Sequence, residues 1–427
     1  MKIHLKNGLA AVSNGGITAI EKKDIYITDQ LISGVGEAPE GFSADRTIDC
    51  AGRLVLPGFI NCHTHGYMGI FRNLADDRSF EDWLFGHIMP MEDRLTPEDM
   101  YWGTLLSCIE MLKTGTTAYL DMHMFRHYAA QAAADIGIRC ALSRGLVGED
   151  SRDPGGQTRL EDALSDREEF QDNSRITVML GPHAPYTCAF EYLRYVAETA
   201  RKYGMRIHIH LSETAHEVEE SMEKYGCTPI AHMERLGLFE VPVIAAHCVY
   251  ATDGDIEILK NHGASVATNP KSNLKLANGA APIGKMMAAG VNVCLGTDSS
   301  ASNNTQNMVS ELNTLTLLHK GLSHDPKAVT AYEGLRIATA NGARALGLNA
   351  GEIRVGALAD LSVMNLDYPW LYPRNDLIAA LSYSATGAEF ETVLVDGQVV
   401  LDKGVITGVD EQEVYSRCEE IIRRVRG

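Results

Sequence analysis

A (β/α)₈ barrel carrying a small β domain is the fold predicted by this sequence of 427 residues. Three observations predict it. Amphipathic stretches that end in glycine and run straight into β-branched segments recur along the chain. Eight apolar segments have strand length. Histidines gather where several of those segments end.

The recurring unit reads MLKTGTTAYLDMH (Met111–His123), ADIGIRCALSRG (Ala134–Gly145), RKYGMRIHIHLSE (Arg201–Glu213), KNHGASVATN (ending at Asn269) and MAAGVNVCLGTD (ending at Asp298). Glycine just past a helix takes the left-handed cap, and the strand begins at once. Helix-then-strand units imply parallel strands joined by crossover helices. The eight strands are predicted near Arg53–Asn61, Thr116–Met122, Arg139–Gly145, Ile176–Gly181, Met205–His210, Val241–His247, Ala264–Thr268 and Val291–Gly296. Eight such strands make a (β/α)₈ barrel. An open doubly wound sheet is the alternative. It usually carries a glycine-rich phosphate turn after its first strand. Here that strand ends in NCHTHG, which favours the barrel.

The two ends read differently. LKNGLAAV, around Asn7-Gly8, and TVLVDGQVVL, around Asp396-Gly397, carry hairpin signals. Neither end offers enough strands for a sheet of its own, so both are expected to build one small β domain. The division expected is residues 1–56 and 355–427 for that domain and 57–354 for the barrel.

Composition narrows the partners. The apolar content is 45% and the net charge is −18. Nucleic-acid polymers and anionic membranes are therefore not expected partners. There is no apolar run of spanning length and no signal-peptide pattern at the start. Nine scattered cysteines without a CxxC pair read as reduced thiols, hence a cytoplasmic location. Cys62 and Cys248 flank motif histidines and are expected to pack outward as small hydrophobes.

Barrel chemistry sits at the carboxyl ends of the strands. The first strand ends in His63 and His65, two residues apart and so on one face. The fourth ends in GPHAPYT with His183. The fifth ends in HIHLSET with His208, His210 and Glu213. The sixth ends in AHCVY with His247, and the eighth in LGTDSSASNN with Asp298. Imidazole nitrogens with a carboxylate oxygen suit Zn²⁺, and also Fe²⁺. A divalent cation in an incomplete ligand set lowers the pKa of water to about 7. Glu213, three residues past His210, is within reach as a proton shuttle. His208 lies deeper in its strand and reads as a residue behind the site. Singly, each has a bland reading: His183 as a capped loop histidine, Asp298 as a turn residue, Glu213 as a first-turn helix glutamate. Together they point to a metal site.

PGFINCHTH, GPHAPYT, HIHLSET, AHCVY and LGTDSSASNN resemble the amidohydrolase superfamily over nearly the whole chain, including VGALADLSVMN (Val355–Asn365). NPKSNLKLANG (Asn269–Gly279) and PMEDRLTPEDMYWG (Pro90–Gly103) narrow the resemblance to the 5′-methylthioadenosine/S-adenosylhomocysteine deaminases. Two-metal members carry a bridging lysine at the end of the fourth strand, and VMLGPHAPYT has none. The resemblance therefore implies one metal, held by His63, His65, His210 and Asp298.

It also implies hydrolytic deamination of a 5′-substituted adenosine, a small-molecule partner. Glu213 would protonate the ring at N1, Asp298 would take the proton of the attacking water, and His247 would hydrogen-bond that water or the developing oxyanion. Glu92 and His183 would hold the ribose hydroxyls. Arg144 is the natural partner of a tail carboxylate; its plain alternative is a surface pair with Glu149 or Asp150. A second arginine is expected from EDSRDPGGQTRL, where Arg152 and Arg159 both qualify. Trp83 reads equally as a pocket cover or a helix-packing residue. Guanine-type deaminases and triazine hydrolases share much of this pattern, and a non-catalytic scaffold would have lost ligands that this chain keeps. The sequence leaves the oligomeric state open, a homo-oligomer included.

Overall fold

The computed structural model describes residues 1–426, the side chain of Ile17 apart. Eight parallel strands pair each with the next in chain order: β1 (Phe59–Thr64), β2 (Thr116–His123), β3 (Arg139–Leu146), β4 (Ile176–Pro182), β5 (Ile207–Leu211), β6 (Val243–His247), β7 (Ser265–Thr268) and β8 (Asn292–Leu295). Just past β8 the chain meets β1, where the Asp298 amide donates to the His63 carbonyl at 2.9 Å. This is the expected (β/α)₈ barrel. Gly137, Gly204 and Gly290 take the left-handed cap between helix and strand, as the sequence pattern requires.

Small and branched side chains fill the barrel floor. Ile60, Ala118, Leu120, Ala141, Met179, Ile244, Ala267 and Cys294 are all buried in one cluster. That floor closes one end and leaves the carboxyl ends of the strands to line a cavity. All nine cysteines are buried and free, Cys62 and Cys248 included. Among the described residues no helix is long and apolar enough to cross a membrane.

The structure corrects the first predicted strand. Arg53–Asn61 is not one strand: Arg53–Pro57 belongs to a second sheet, and the barrel strand begins at Phe59. Gly58 makes the transition possible. A Cβ there would lie 2.1 Å from the Thr117 side chain. Periodicity cannot detect this break, because both halves are apolar and extended.

The termini also differ from expectation. Lys2–Lys6, Ile25–Thr28, Leu31–Val35 and Arg46–Asp49 make a four-stranded sheet from the N-terminal segment alone. A seven-stranded sheet combines Leu9–Asn14, Ile17–Lys22 and Arg53–Pro57 with Leu361–Asn365, Phe390–Val395, Gln398–Asp402 and Val405–Ile406. Asn7-Gly8 is no hairpin; it hands the chain from the first sheet to the second. The hairpin at Asp396-Gly397 forms, with both residues at positive φ.

Candidate active site

Three imidazoles and one carboxylate converge where the barrel strands end. His63 lies in β1 and His65 directly after it. His63 Nε2 stands 3.4 Å from Asp298 Oδ1, and His65 Nε2 stands 3.7 Å from the same oxygen. His210 Nε2, from β5, lies 3.4 Å from His65 Nε2. His247, at the end of β6, brings its donor atoms close to those of His63 and His210. Gly296 permits the approach of the chain after β8, since a Cβ there would come within 2.9 Å of the His63 backbone nitrogen.

Backbone hydrogen bonds set which ring nitrogen is free. His65 Nδ1–H donates to the Met122 carbonyl at 2.9 Å, and His210 Nδ1–H donates to the His183 carbonyl at 2.7 Å. A carbonyl only accepts, so both Nε2 atoms carry lone pairs. His63 is set by a longer relay. The Ser143 hydroxyl donates to the Asp121 carbonyl at 3.0 Å and accepts from His208 Nδ1–H at 2.8 Å. His208 Nε2 then accepts from His63 Nδ1–H at 2.9 Å. This gives His208 its place: fully buried behind the site, fixing the tautomer of His63. His63 Nε2 is buried with no hydrogen-bond partner among the described residues. Burial pushes the His63 pKa down to about 4 and lowers those of His65 and His210, keeping the imidazoles neutral. Neutral imidazoles and an ionised carboxylate are the forms that bind a metal. The cluster therefore fits a divalent cation.

Asp298 is held on every side. Its Oδ2 accepts from the Ser272 hydroxyl at 2.5 Å and the Ser302 hydroxyl at 2.9 Å, and its Oδ1 from the Ser299 amide at 2.7 Å. Burial would raise its pKa, but the net direction is downward, which keeps the carboxylate ionised. Ser212, His247, Cys248 and Asp298 all sit at positive φ. Left-handed non-glycine residues cost energy and gather at functional sites.

Glu213 is 3% exposed. Its Oε1 accepts from Asn278 Nδ2 at 3.1 Å, and its Oε2 lies 3.8 Å from His247 Nε2. Burial raises its pKa. His247 Nδ1–H donates to Asn273 Oδ1 at 2.8 Å. Burial lowers the pKa of His247, but the Glu213 and Asp298 carboxylates outweigh it and the net direction is upward. With Nδ1 on Asn273, His247 turns Nε2 toward Glu213 and the imidazole cluster.

The cluster floors a cavity of about 350 Å³. Glu92 and His183 line its wall. Glu92 accepts from the Tyr67 hydroxyl, and burial pushes its pKa up to about 7. Arg144 and Arg159 line the cavity too. Arg144 faces Asp162 at 3.6 Å, not Glu149 or Asp150. Burial lowers the Arg144 pKa; Asp162 offsets this in part and Arg159 adds to it. Arg152 is elsewhere: its side chain is 88% exposed and paired with Asp150. Trp83 is buried, lines the cavity and donates to the Ala301 carbonyl at 3.3 Å, so it covers and packs at once.

Sequence reasoning missed several neighbours. Tyr67 holds Glu92, and Glu217 accepts from the Ser212 and Glu213 amides at 2.8 and 2.7 Å. His123 also lines the cavity. The strand-end rule would have found His123, had the second strand been extended by one residue past Met122.

The signature of the Amidohydrolase family matches residues 54–400. The chain is 46% identical over 409 residues to a 5-methylthioadenosine/S-adenosylhomocysteine deaminase of Caldanaerobacter subterraneus subsp. tengcongensis, covering 94% of this chain and 93% of that one. It is 43% identical over 414 residues to a 5′-deoxyadenosine deaminase of Methanocaldococcus jannaschii, covering 95% and 97%. Its fold superimposes on the crystal structure of a Xanthomonas campestris adenosine deaminase with bound zinc at a TM-score of 0.94, with 30% identity and coverage of 99% and 98%. The chain thus belongs to the amidohydrolase family.

Proposed function

We propose that this chain hydrolyses the 6-amino group of 5′-substituted adenosines, 5′-methylthioadenosine and S-adenosylhomocysteine among them, to the inosine analogues and ammonia. One observation carries the reading. A single cavity has an imidazole–carboxylate cluster at its floor, Glu92 and His183 on its wall, and two guanidinium groups, Arg144 and Arg159, around it. That sequence of groups matches a purine, a ribose and an anionic tail. The names of the relatives agree with it.

We assign one divalent metal per chain to His63, His65, His210 and Asp298, Zn²⁺ first and Fe²⁺ as the alternative. When bound, such a cation makes hydroxide available from water at neutral pH. The other tasks fall to side chains. Glu213, kept protonatable by burial, donates its proton to ring N1 and relieves charge as C6 is attacked. Asp298 accepts the proton of the attacking water and passes it to the 6-amino group, which leaves as ammonia as the C6–N bond breaks. His247 donates to the developing oxyanion. Glu92 accepts from the ribose hydroxyls, with the His183 ring beside it. The substrate is a small molecule, not a polymer.

The test is a screen of adenosine, 5′-methylthioadenosine, 5′-deoxyadenosine, S-adenosylhomocysteine and guanine for ammonia release. 5′-Methylthioadenosine should exceed adenosine in kcat/KM by about 10–200-fold, the discrimination an apolar group of that size provides. Release of ammonia from guanine alone, or chloride from a chlorinated triazine, would replace this reading with another amidohydrolase activity. Glu213→Gln should lower turnover by about 10²–10⁴-fold with metal content kept. Near-normal turnover would return Glu213 to a helix-start role.

A further inference from the structure

We propose that His123 accepts a hydrogen bond from the α-ammonium group of an amino-acid tail on the substrate. The cavity then holds an α-amino acid at the 5′ end, not merely an anion. This rests on the reading of the substrate as a 5′-substituted adenosine.

His123 ends β2, and its backbone pairs with Arg144 in β3. Paired residues of neighbouring strands point to the same side of the sheet. Both line the cavity. His123 is 2% exposed. Its Nδ1–H donates to the Phe125 carbonyl at 2.9 Å. That acceptor fixes the tautomer, so Nε2 is left with a lone pair. Nε2 is buried and has no partner among the described residues. Buried polar atoms are nearly always paired, and one that is not needs an explanation. Burial, and then the neighbouring Arg144, push the His123 pKa down to about 3. The ring therefore stays a neutral acceptor.

The remaining question is which donor it meets. On a 5′-substituted adenosine the purine end faces Glu213 and the imidazole cluster, and the ribose hydroxyls face Glu92 and His183. The tail ammonium is the strong donor with no assigned acceptor. It shares a carbon with the carboxylate, so a guanidinium and an acceptor on adjacent strands complement the pair. A neutral acceptor serves better here than a carboxylate would. A carboxylate at this position would pair with Arg144 and compete with the tail.

The experiment compares S-adenosylhomocysteine with its des-amino analogue, 5′-S-(3-carboxypropyl)-thioadenosine, using the metal-loaded enzyme. The two differ only in the ammonium group, so any general damage to the enzyme cancels in their kcat/KM ratio. The wild-type ratio should be at least about tenfold. In His123→Phe it should fall to about one. In His123→Gln, whose amide oxygen can accept, it should fall only in part. A wild-type ratio near one overturns the proposal. So does a ratio that His123→Phe leaves unchanged while both rates drop together. Turnover of 5′-methylthioadenosine with refusal of both tailed substrates sinks this inference and leaves the proposed function standing. Failure to deaminate any adenosine derivative sinks the proposed function itself.

Discussion

Replacing Glu217 with glutamine is expected to slow the reaction without touching substrate or metal. Glu217 is 4% exposed, in the first turn of the helix Ala215–Tyr225. A helix glutamate three residues past the N-cap often reaches back to the cap amide. This one reaches further, to the amides of Ser212 and Glu213. Ser212 sits at φ 50, a conformation that costs a non-glycine residue about 1–2 kcal/mol. The two hydrogen bonds thus hold the kink that aims Glu213 at the cavity. A glutamine keeps one acceptor oxygen and presents an NH₂ group to the second amide. One buried amide then goes unpaired, at about 1–3 kcal/mol. Glu217→Ala unpairs both and should cost about 2–6 kcal/mol. A misplacement of Glu213 by about 1 Å lowers kcat on the order of 10²-fold. The assay is kcat and KM for 5′-methylthioadenosine, with metal content and thermal midpoint measured on the same preparations. Glu217→Gln should lower kcat while KM and metal content hold. A thermal midpoint that falls with no change in kcat would refute the positioning role and leave Glu217 a purely structural residue.

Elemental analysis of protein purified without chelator should find about one Zn²⁺ or Fe²⁺ per chain; two tightly bound ions would contradict a single site. Arg144→Ala and Arg159→Ala should each reduce kcat/KM for S-adenosylhomocysteine more than for 5′-methylthioadenosine, whereas Arg152→Ala, on the exposed residue, should change neither; equal losses on both substrates would make the two guanidiniums structural. In the proposed function Glu92 accepts the ribose hydroxyls as a carboxylate; its pKa is raised to about 7, so kcat/KM should fall as pH drops below about 7 and Glu92→Gln should flatten that limb. The folded chain is the stronger proton binder at Glu92, so its contribution to stability is present below its ordinary pKa of 4.5 and is lost as pH rises through about 7.

The local pattern of the chain was enough for the barrel and for the cluster of side chains at its strand ends. Glycine caps and apolar runs are properties of adjacent residues, so the eight strands could be counted, and the strand ends led to His63, His65, His183, His210, Glu213, His247 and Asp298. Tertiary structure alone decided what depends on distant segments meeting. Gly58 divides an unbroken apolar run because Thr117 packs against it from the next strand. Arg159 reaches the cavity from the helix Pro154–Glu169, and Arg152, in the turn before it, does not, although both belong to one polar stretch of sequence with the same charge. His208 fixes the tautomer of His63 through a contact across 145 residues, which no spacing rule encodes. Glu217 reads from sequence as an ordinary helix start, and only the left-handed turn at Ser212 reveals what its carboxylate holds. Periodicity specifies which face a side chain takes on its own element. Which partner waits there is set by packing, because the free energy of a buried hydrogen bond depends on both groups being present.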